Sequence, residues 1–173
     1  HCADGHGKII PEEGYIYKEV EEPKLDIPLV RKLYTSLAEK YHNTLTKKAL
    51  EYLRSRGLTS DTIEHFKLGF CTNEYHPEYE DIIAEQSGIV MQKYPMLMSR
   101  ITIPYLYGEE VTDLRGRKVD GITYKPDSPT YTSLIGSRES RGAIHLFNEG
   151  IISQSNLVVV TEGEFKAVLA YQY

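Results

Sequence analysis

The chain has 173 residues, of which 40% are hydrophobic and 26% are charged. This length favours one domain or two small ones, and the composition predicts a packed globular core rather than disorder. No apolar run, including that at residues 157–160, is long enough to cross a membrane, so we expect no membrane partner. The two cysteines exclude a disulfide-dense secreted scaffold and favour a reducing, cytoplasmic compartment.

The charge is unevenly distributed along the chain. The formal net charge is −5, which argues against a uniformly basic nucleic-acid-binding protein. Residues 31–57, however, carry seven basic side chains against two acidic ones, and the segments on either side are acidic. Because charges are screened beyond about 8 Å, such a basic block can bind phosphate locally. A solvated helix face is the alternative explanation.

The N-terminal part of the sequence has little regular pattern. It has neither an initiator Met nor a charged-then-apolar leader, so we expect no signal peptide and expect the cut end of a longer protein. Residues 1–27 show no sustained hydrophobic period, which predicts a linker with a short strand at 15–20.

Helical patterns follow from Pro28 onward. Pro28 suits a first helical turn, and apolar residues recur at three- and four-residue steps, which predicts a helix over 28–42. A second helix is predicted from Thr44 as N-cap to a stop at Gly57. A third is predicted near 60–67 with an Asp61–Glu64 capping box, and a fourth from about 77 to 88.

The second half of the chain changes to the two-residue period of strands. Residues 100–107 and 111–115 alternate around Gly108-Glu109, which predicts a hairpin. A further strand is predicted at 121–125, followed by a stretch rich in Gly, Ser and Pro. The apolar run 157–160 predicts a strand buried on both faces, and a helix is predicted to follow at 164–171.

The sharpest local feature is the acid at the end of that last strand. Ligands gather at the carboxyl ends of strands in open α/β sheets, and Glu162 occupies such a position, with Gly163 permitting a tight turn. Glu162 either caps the helix, where its charge is favourable by about 0.3–1 kcal/mol, or binds a divalent cation through a hard oxygen. Spacing alone slightly favours the cap.

Several segments together resemble the catalytic core of DnaG-type primases. Val-Val-Val-Thr-Glu-Gly-Glu-Phe-Lys-Ala-Val-Leu-Ala at 158–170 resembles the first motif of a TOPRIM domain, in the form found in phage and plasmid primases. The other matching segments occur in family order, at residues 52–70, 100–104, 115–117 and 146–148. The resemblance implies an α+β or α/β fold: a helical N-terminal subdomain (28–95) after the linker, mixed strands (96–150), and the first strand–helix unit of a TOPRIM domain (151–173).

The resemblance also implies roles for individual residues. Glu162 matches the catalytic, metal-binding glutamate of the family. Four residues match positions that line its template and nucleotide groove: Arg56, Arg100, Arg117 and Tyr131. The family has a lysine just before that tyrosine, where this chain has Thr130; the resemblance makes the nearby Lys125 its substitute. The family's asparagine two residues after the tyrosine is Ser133 here. Lys166 stands where many members have an aspartate.

Each of these arginines also has a purely structural explanation. Arg56 would interact favourably with the C-terminal dipole of its helix, beside Gly57. Arg100 and Arg117 would be solvent-facing charges of alternating strands. Tyr34, Tyr41 and Tyr52 offer part of a nucleic-acid groove but are more simply explained as core residues.

The family role requires partners and cofactors. The resemblance implies template-directed primer synthesis on single-stranded DNA from nucleoside triphosphates, with a fused or separate helicase as a further partner. Mg²⁺ or Mn²⁺ would need carboxylates beyond this chain, because no Asp-x-Asp pair follows Glu162. Cys2 and His6 resemble the tail of an upstream zinc ribbon but are too few for a closed site. A non-catalytic module that binds single strands, or another TOPRIM enzyme (nuclease or topoisomerase), is the alternative.

Overall fold

A computed structural model describes residues 25–72, 86, 97–134, 140, 142 and 146–173. The predicted strand at 15–20, the predicted helix at 77–88 apart from residue 86, and both Cys2 and His6 lie outside these residues. Among the described residues, no helix is long and apolar enough to span a membrane. The elements, numbered within these ranges, are α1 (Ile27–Asn43), α2 (Lys47–Ser55), α3 (Ser60–His65), β1 (Gly69–Phe70), β2 (Arg100–Tyr107), β3 (Glu110–Lys118), β4 (Tyr131–Ser133), a 3₁₀ helix (Glu149–Gln154) and α4 (Glu164–Gln172).

Helix α1 forms where the sequence predicts it. Asp26 caps it by accepting a hydrogen bond from the Leu29 amide (3.2 Å), and Pro28 lies in the first turn, where its missing N–H costs nothing. One stripe of the helix is fully buried, including Leu33 and Leu37. The predicted helix over 28–42 is therefore confirmed.

Helix α2 begins later than predicted, whereas α3 begins at Ser60 as predicted and ends earlier, at His65. The Thr44 hydroxyl donates to the Lys40 carbonyl (3.0 Å) at the end of α1, so Thr46 caps α2 instead. Thr59, rather than Asp61, caps α3. The stop at Gly57 is confirmed: its φ of +89° favours glycine.

The sheet is antiparallel, in the order β1-β2-β3-β4. Strands β2 and β3 form the predicted hairpin through Gly108-Glu109, and the φ of +62° at Gly108 is one that favours glycine. Strand β4 pairs with β3, so that Tyr131 lies opposite Arg117 and Ser133 opposite Arg115.

Helices cover both faces of this sheet. Helix α1 packs on one face with side chains such as Leu97 and Leu114. Helices α2, α3 and α4 pack on the other face around Ile101 and Ile103. The described residues therefore have an α+β fold, as predicted.

Two predicted strands are wrong. Residues 157–160 pair with no strand among the described residues, and Leu157 and Val160 are 81% and 78% exposed. Strand geometry requires a neighbouring strand, so the apolar run alone does not produce it. Residues 121–125 are also irregular, because β4 occupies the free edge of β3, where the Lys118 amide already donates to the Thr130 carbonyl (3.0 Å).

Candidate nucleic-acid interface

The Arg-Gly-Arg sequence of β3 places both arginines on one face of the sheet. Arg115 and Arg117 are two residues apart and therefore project together, toward α2 and α4. Gly116 faces the other way, and a Cβ atom there would lie 2.8 Å from Leu97 and 2.9 Å from the Arg100 side chain. The glycine is thus required by close packing on the far face.

Arg117 is surrounded by aromatic rings. Its Nε donates to the Tyr131 hydroxyl (2.9 Å), and its Nη1 donates to the Tyr52 hydroxyl. Its Cζ lies 5.1 Å from the centre of the Phe165 ring, within cation–π range. With Arg56, whose Cζ lies 5.8 Å from the same ring, these residues form what we term the arginine–aromatic cluster.

The two cations of the arginine–aromatic cluster have no acidic partner in the described part of the chain. Neither Arg56 nor Arg117 forms an ion pair with a carboxylate there. Arg56 is exposed at the end of α2, and Arg117 is partly exposed on β3. Two guanidiniums that no described carboxylate neutralises therefore lie beside one ring, where an anion can reach them.

Arg115 differs from Arg117 because it is neutralised. It forms an ion pair with Glu164, which is only 6% exposed, and Tyr105 donates to the same carboxylate (2.8 Å). Burial works against the charged form of Arg115, but the hydrogen bond with Tyr105 and the charge of Glu164 raise its pKa. This buried network attaches α4 to the sheet.

Arg100 lies away from the arginine–aromatic cluster. It pairs with Lys118 across the hairpin and so points to the opposite face from Arg117. It is 3% exposed, and burial lowers its pKa. Its guanidinium donates to the Thr130 carbonyl (3.1 Å) and to the Ser128 hydroxyl (2.7 Å). Arg100 thus holds the segment before β4, and its guanidinium is buried rather than exposed beside Arg117.

The remaining predicted basic and aromatic residues are either exposed on the surface or buried in the core. Lys125 is exposed, and its side chain has no partner among the residues that the structure describes. Tyr34 and Tyr41 are core residues, 0% and 2% exposed. Tyr52 is both a core residue and part of the candidate interface, because it is buried and also contacts Arg117.

Glu162 lies on the surface, at the turn that precedes α4. Its side chain is 80% exposed and forms an ion pair with Lys166 one helical turn later. The hydrogen bond and the charge of Lys166 lower the pKa of Glu162. Glu162 borders a cleft of about 390 Å³ that Arg115 and Phe147 also line.

Gly163 does not have the predicted role. Its φ of −166° is extended backbone that any residue adopts, and a Cβ there would meet nothing within 4 Å. The turn between Glu162 and α4 therefore requires no glycine.

The described residues do not by themselves fit a divalent metal site. Such a cation takes several oxygen ligands. Within the described ranges no group of three or more His, Cys, Asp or Glu side chains is close enough to hold an ion. Glu162 supplies a single carboxylate, and Lys166 already offsets its charge.

Phe165 is the member of the arginine–aromatic cluster that sequence reasoning missed. The signal was its place in the same motif as Glu162, but its apolar character pointed only to the core. The buried network of Tyr105 and Glu164 was missed as well, because its partners are 59 residues apart.

Comparison with known proteins shows what the chain is similar to. No family model matches the chain. The DNA primase of Helicobacter pylori is 29% identical over 135 residues, covering 71% of this chain and 24% of that protein. The DNA primases of Rickettsia felis and Enterococcus faecalis are each 27% identical, over 152 and 172 residues, covering 79% and 81% of this chain. The chain spans about a quarter of the length of these relatives, which are 24–26% covered.

Two solved structures also resemble part of this chain. The structure of a DnaG primase catalytic domain bound to ssDNA has a TM-score of 0.48 and 21% identity, over 62% of this chain and 37% of that one. A DnaG catalytic core has a TM-score of 0.46 and 18% identity, over 61% and 37%. By sequence, the chain is similar to the DNA primases of these three bacteria.

Proposed function

We propose that this chain is part of a primase catalytic core, and that its arginine–aromatic cluster binds the phosphates of a single-stranded DNA template. The observation that supports this most directly is the pair Arg56 and Arg117, two guanidiniums beside Phe165 that have no acidic partner in the described ranges. The curated DNA primases to which the chain is similar support the same activity.

The chemistry favours phosphate binding over base stacking at this place. Guanidiniums donate paired hydrogen bonds to phosphate oxygens. Phe165 and Tyr52 are only 5% and 8% exposed, so their faces are not open to a base. They hold the guanidiniums instead, and Tyr131 is the ring of the arginine–aromatic cluster with an appreciable exposed surface.

The full reaction would be template-directed, metal-dependent nucleotidyl transfer from nucleoside triphosphates. A bound Mg²⁺ or Mn²⁺ pair stabilises the attacking and leaving oxygens of such a transfer. In this proposal Glu162 provides one ligand, with carboxylates beyond this chain, Lys125 contacts the nucleic acid, and a zinc ribbon lies upstream. A helicase partner and a phage or plasmid origin remain predictions of the resemblance.

The test is the binding of a fluorescent single-stranded oligonucleotide to the full-length protein over a range of salt concentrations. Arg56→Ala and Arg117→Ala should each weaken binding and lower the salt slope by about one unit, since each removes one phosphate contact. Arg54→Ala is the matched control. It removes the same charge from α2, where Arg54 lies 3.5 Å from Ser60 rather than beside Phe165.

Primer synthesis on the same template is the second measurement. Both cluster variants should lose product in proportion to their weaker template binding. If neither variant changes affinity or salt slope relative to Arg54→Ala, the template does not bind at the arginine–aromatic cluster.

A further inference from the structure

The Tyr52 hydroxyl lies where it can orient Arg117. Tyr52 is on α2 and is 8% exposed, and its ring packs edge-on against Phe165, with centres 6.5 Å apart and planes at 82°. Packing therefore fixes the ring. Its oxygen accepts a hydrogen bond from Nη1 of Arg117, a residue 65 positions away on β3.

A second phenol holds the same guanidinium from the side. Tyr131 lies directly opposite Arg117 in the sheet register and accepts from its Nε (2.9 Å). A guanidinium carries five N–H donors. The other donors of Arg117 have no partner among the described residues, so two phenols fix the plane and leave its remaining edge open.

We propose that Tyr52 is a positioning residue for template binding. It aims the open edge of Arg117 at one phosphate, so that binding depends on the orientation of the guanidinium as well as on its charge. This inference rests on the proposed function, because it takes the bound group to be a phosphate of the template.

If binding depends on the orientation of the Arg117 guanidinium and not only on its charge, substitutions should have different effects. A bidentate contact needs the planar fork of arginine in a fixed plane, and a lysine ammonium does not reproduce it. Tyr52→Phe keeps the ring, its packing against Phe165 and every charge, and it removes only the oxygen that accepts from Arg117.

The experiment is a double-mutant cycle on the full-length protein, with a fluorescent oligo-dT as the probe. Tyr52→Phe should weaken binding about tenfold, the change that corresponds to 1.4 kcal/mol. In the Arg117→Ala background the same substitution should have no further effect, because Tyr52 acts through Arg117. Arg117→Lys should bind as weakly as Arg117→Ala at moderate salt but should keep the wild-type salt slope.

Controls keep a structural effect apart from a positioning effect. Tyr107→Phe is the matched control: Tyr107 is 48% exposed on β2, and its hydroxyl has no hydrogen bond in the described part of the chain. Urea unfolding of each variant measures folding separately. If Tyr52→Phe does not fold, Tyr131→Phe takes its place in the cycle, because Tyr131 is only partly buried against this core and accepts from Nε of the same guanidinium.

The outcomes distinguish the two proposals. Weaker binding by Tyr52→Phe in both backgrounds, or in neither, would overturn the positioning role and leave the proposed interface intact, provided that Arg117→Ala itself weakens binding. Unchanged binding by Arg117→Ala would overturn the positioning role, and unchanged binding by Arg56→Ala as well would overturn the proposed interface.

Discussion

The buried ion pair between Arg115 and Glu164 should stabilise the attachment of α4 to the sheet. Glu164 is 7% exposed in its side chain, and Arg115 is 30% exposed. Both also share the Tyr105 hydroxyl, so the pair has the additional hydrogen bonds that a buried charge requires. Because α4 carries Phe165, loss of this pair should also disturb the arginine–aromatic cluster.

The structure sets the expected magnitudes. Removing one partner of a buried pair costs about 3–5 kcal/mol, because the other charge stays uncompensated. The partial exposure of Arg115 reduces this to roughly 2–3 kcal/mol for Arg115→Met. Glu164→Gln keeps the shape and an accepting oxygen, so we expect about 1–2 kcal/mol. The double variant buries no unpaired charge and should be more stable than Arg115→Met alone.

Urea unfolding followed by circular dichroism measures these free energies. The four members of the cycle should show a coupling of about 1–3 kcal/mol between the two positions. Glu51→Gln is the control for an exposed pair: its partner Lys47 lies 3.9 Å away and is 91% exposed, so the change should be below about 0.5 kcal/mol. Additive effects of Arg115→Met and Glu164→Gln would refute a direct interaction.

Two further predictions concern buried groups and glycines. Burial raises the pKa of Cys71 from 9.0 to about 11 and that of Tyr105 from 10.0 to about 12, although a hydrogen bond opposes each shift. The protonated forms are favoured by folding, so the free energy of unfolding should fall as pH rises through 9–11 and 10–12, by roughly 2–3 kcal/mol for each group. Cys71→Ala and Tyr105→Phe should each flatten their own interval in alkaline unfolding curves, and unchanged curves would contradict the burial of these groups. Gly69→Ala should cost about 1–3 kcal/mol, because its Cβ would lie 2.5 Å from the backbone of α1, whereas Gly163→Ala should be nearly neutral in the same urea assay.

Local patterns in the sequence predicted the elements that depend on local interactions. Helix α1 has its N-cap, its proline and its apolar stripe within one segment, and the β2–β3 hairpin has its alternation and its glycine turn. The strand predicted at 157–160 was wrong because strand formation depends on a partner elsewhere in the chain. Only the three-dimensional arrangement shows which face or edge a segment occupies.

The candidate site was predictable to a similar extent. Arg56 and Arg117 were identified from motifs, and the structure brings both to Phe165. Arg100 has the same residue type and a similar strand context, yet it is buried on the opposite face, because side-chain direction alternates along a strand. No residue-type pattern distinguishes an arginine that binds a ligand from one that fastens a loop.

The ion pair between Glu162 and Lys166 leads to a last prediction about metal dependence. Within the proposed function, a divalent cation and the Lys166 ammonium compete for one carboxylate. Both side chains are mostly exposed, at 80% and 63%, so solvent screens the pair and the ammonium is readily displaced. Lys166→Gln should therefore lower the Mg²⁺ concentration at half-maximal primer synthesis by up to about fivefold, whereas Glu162→Gln should abolish synthesis at every Mg²⁺ concentration. The control is Lys47→Gln, which removes an equally exposed lysine from α2. If Lys166→Gln and Lys47→Gln titrate alike, the cation does not bind at Glu162 in exchange for the lysine.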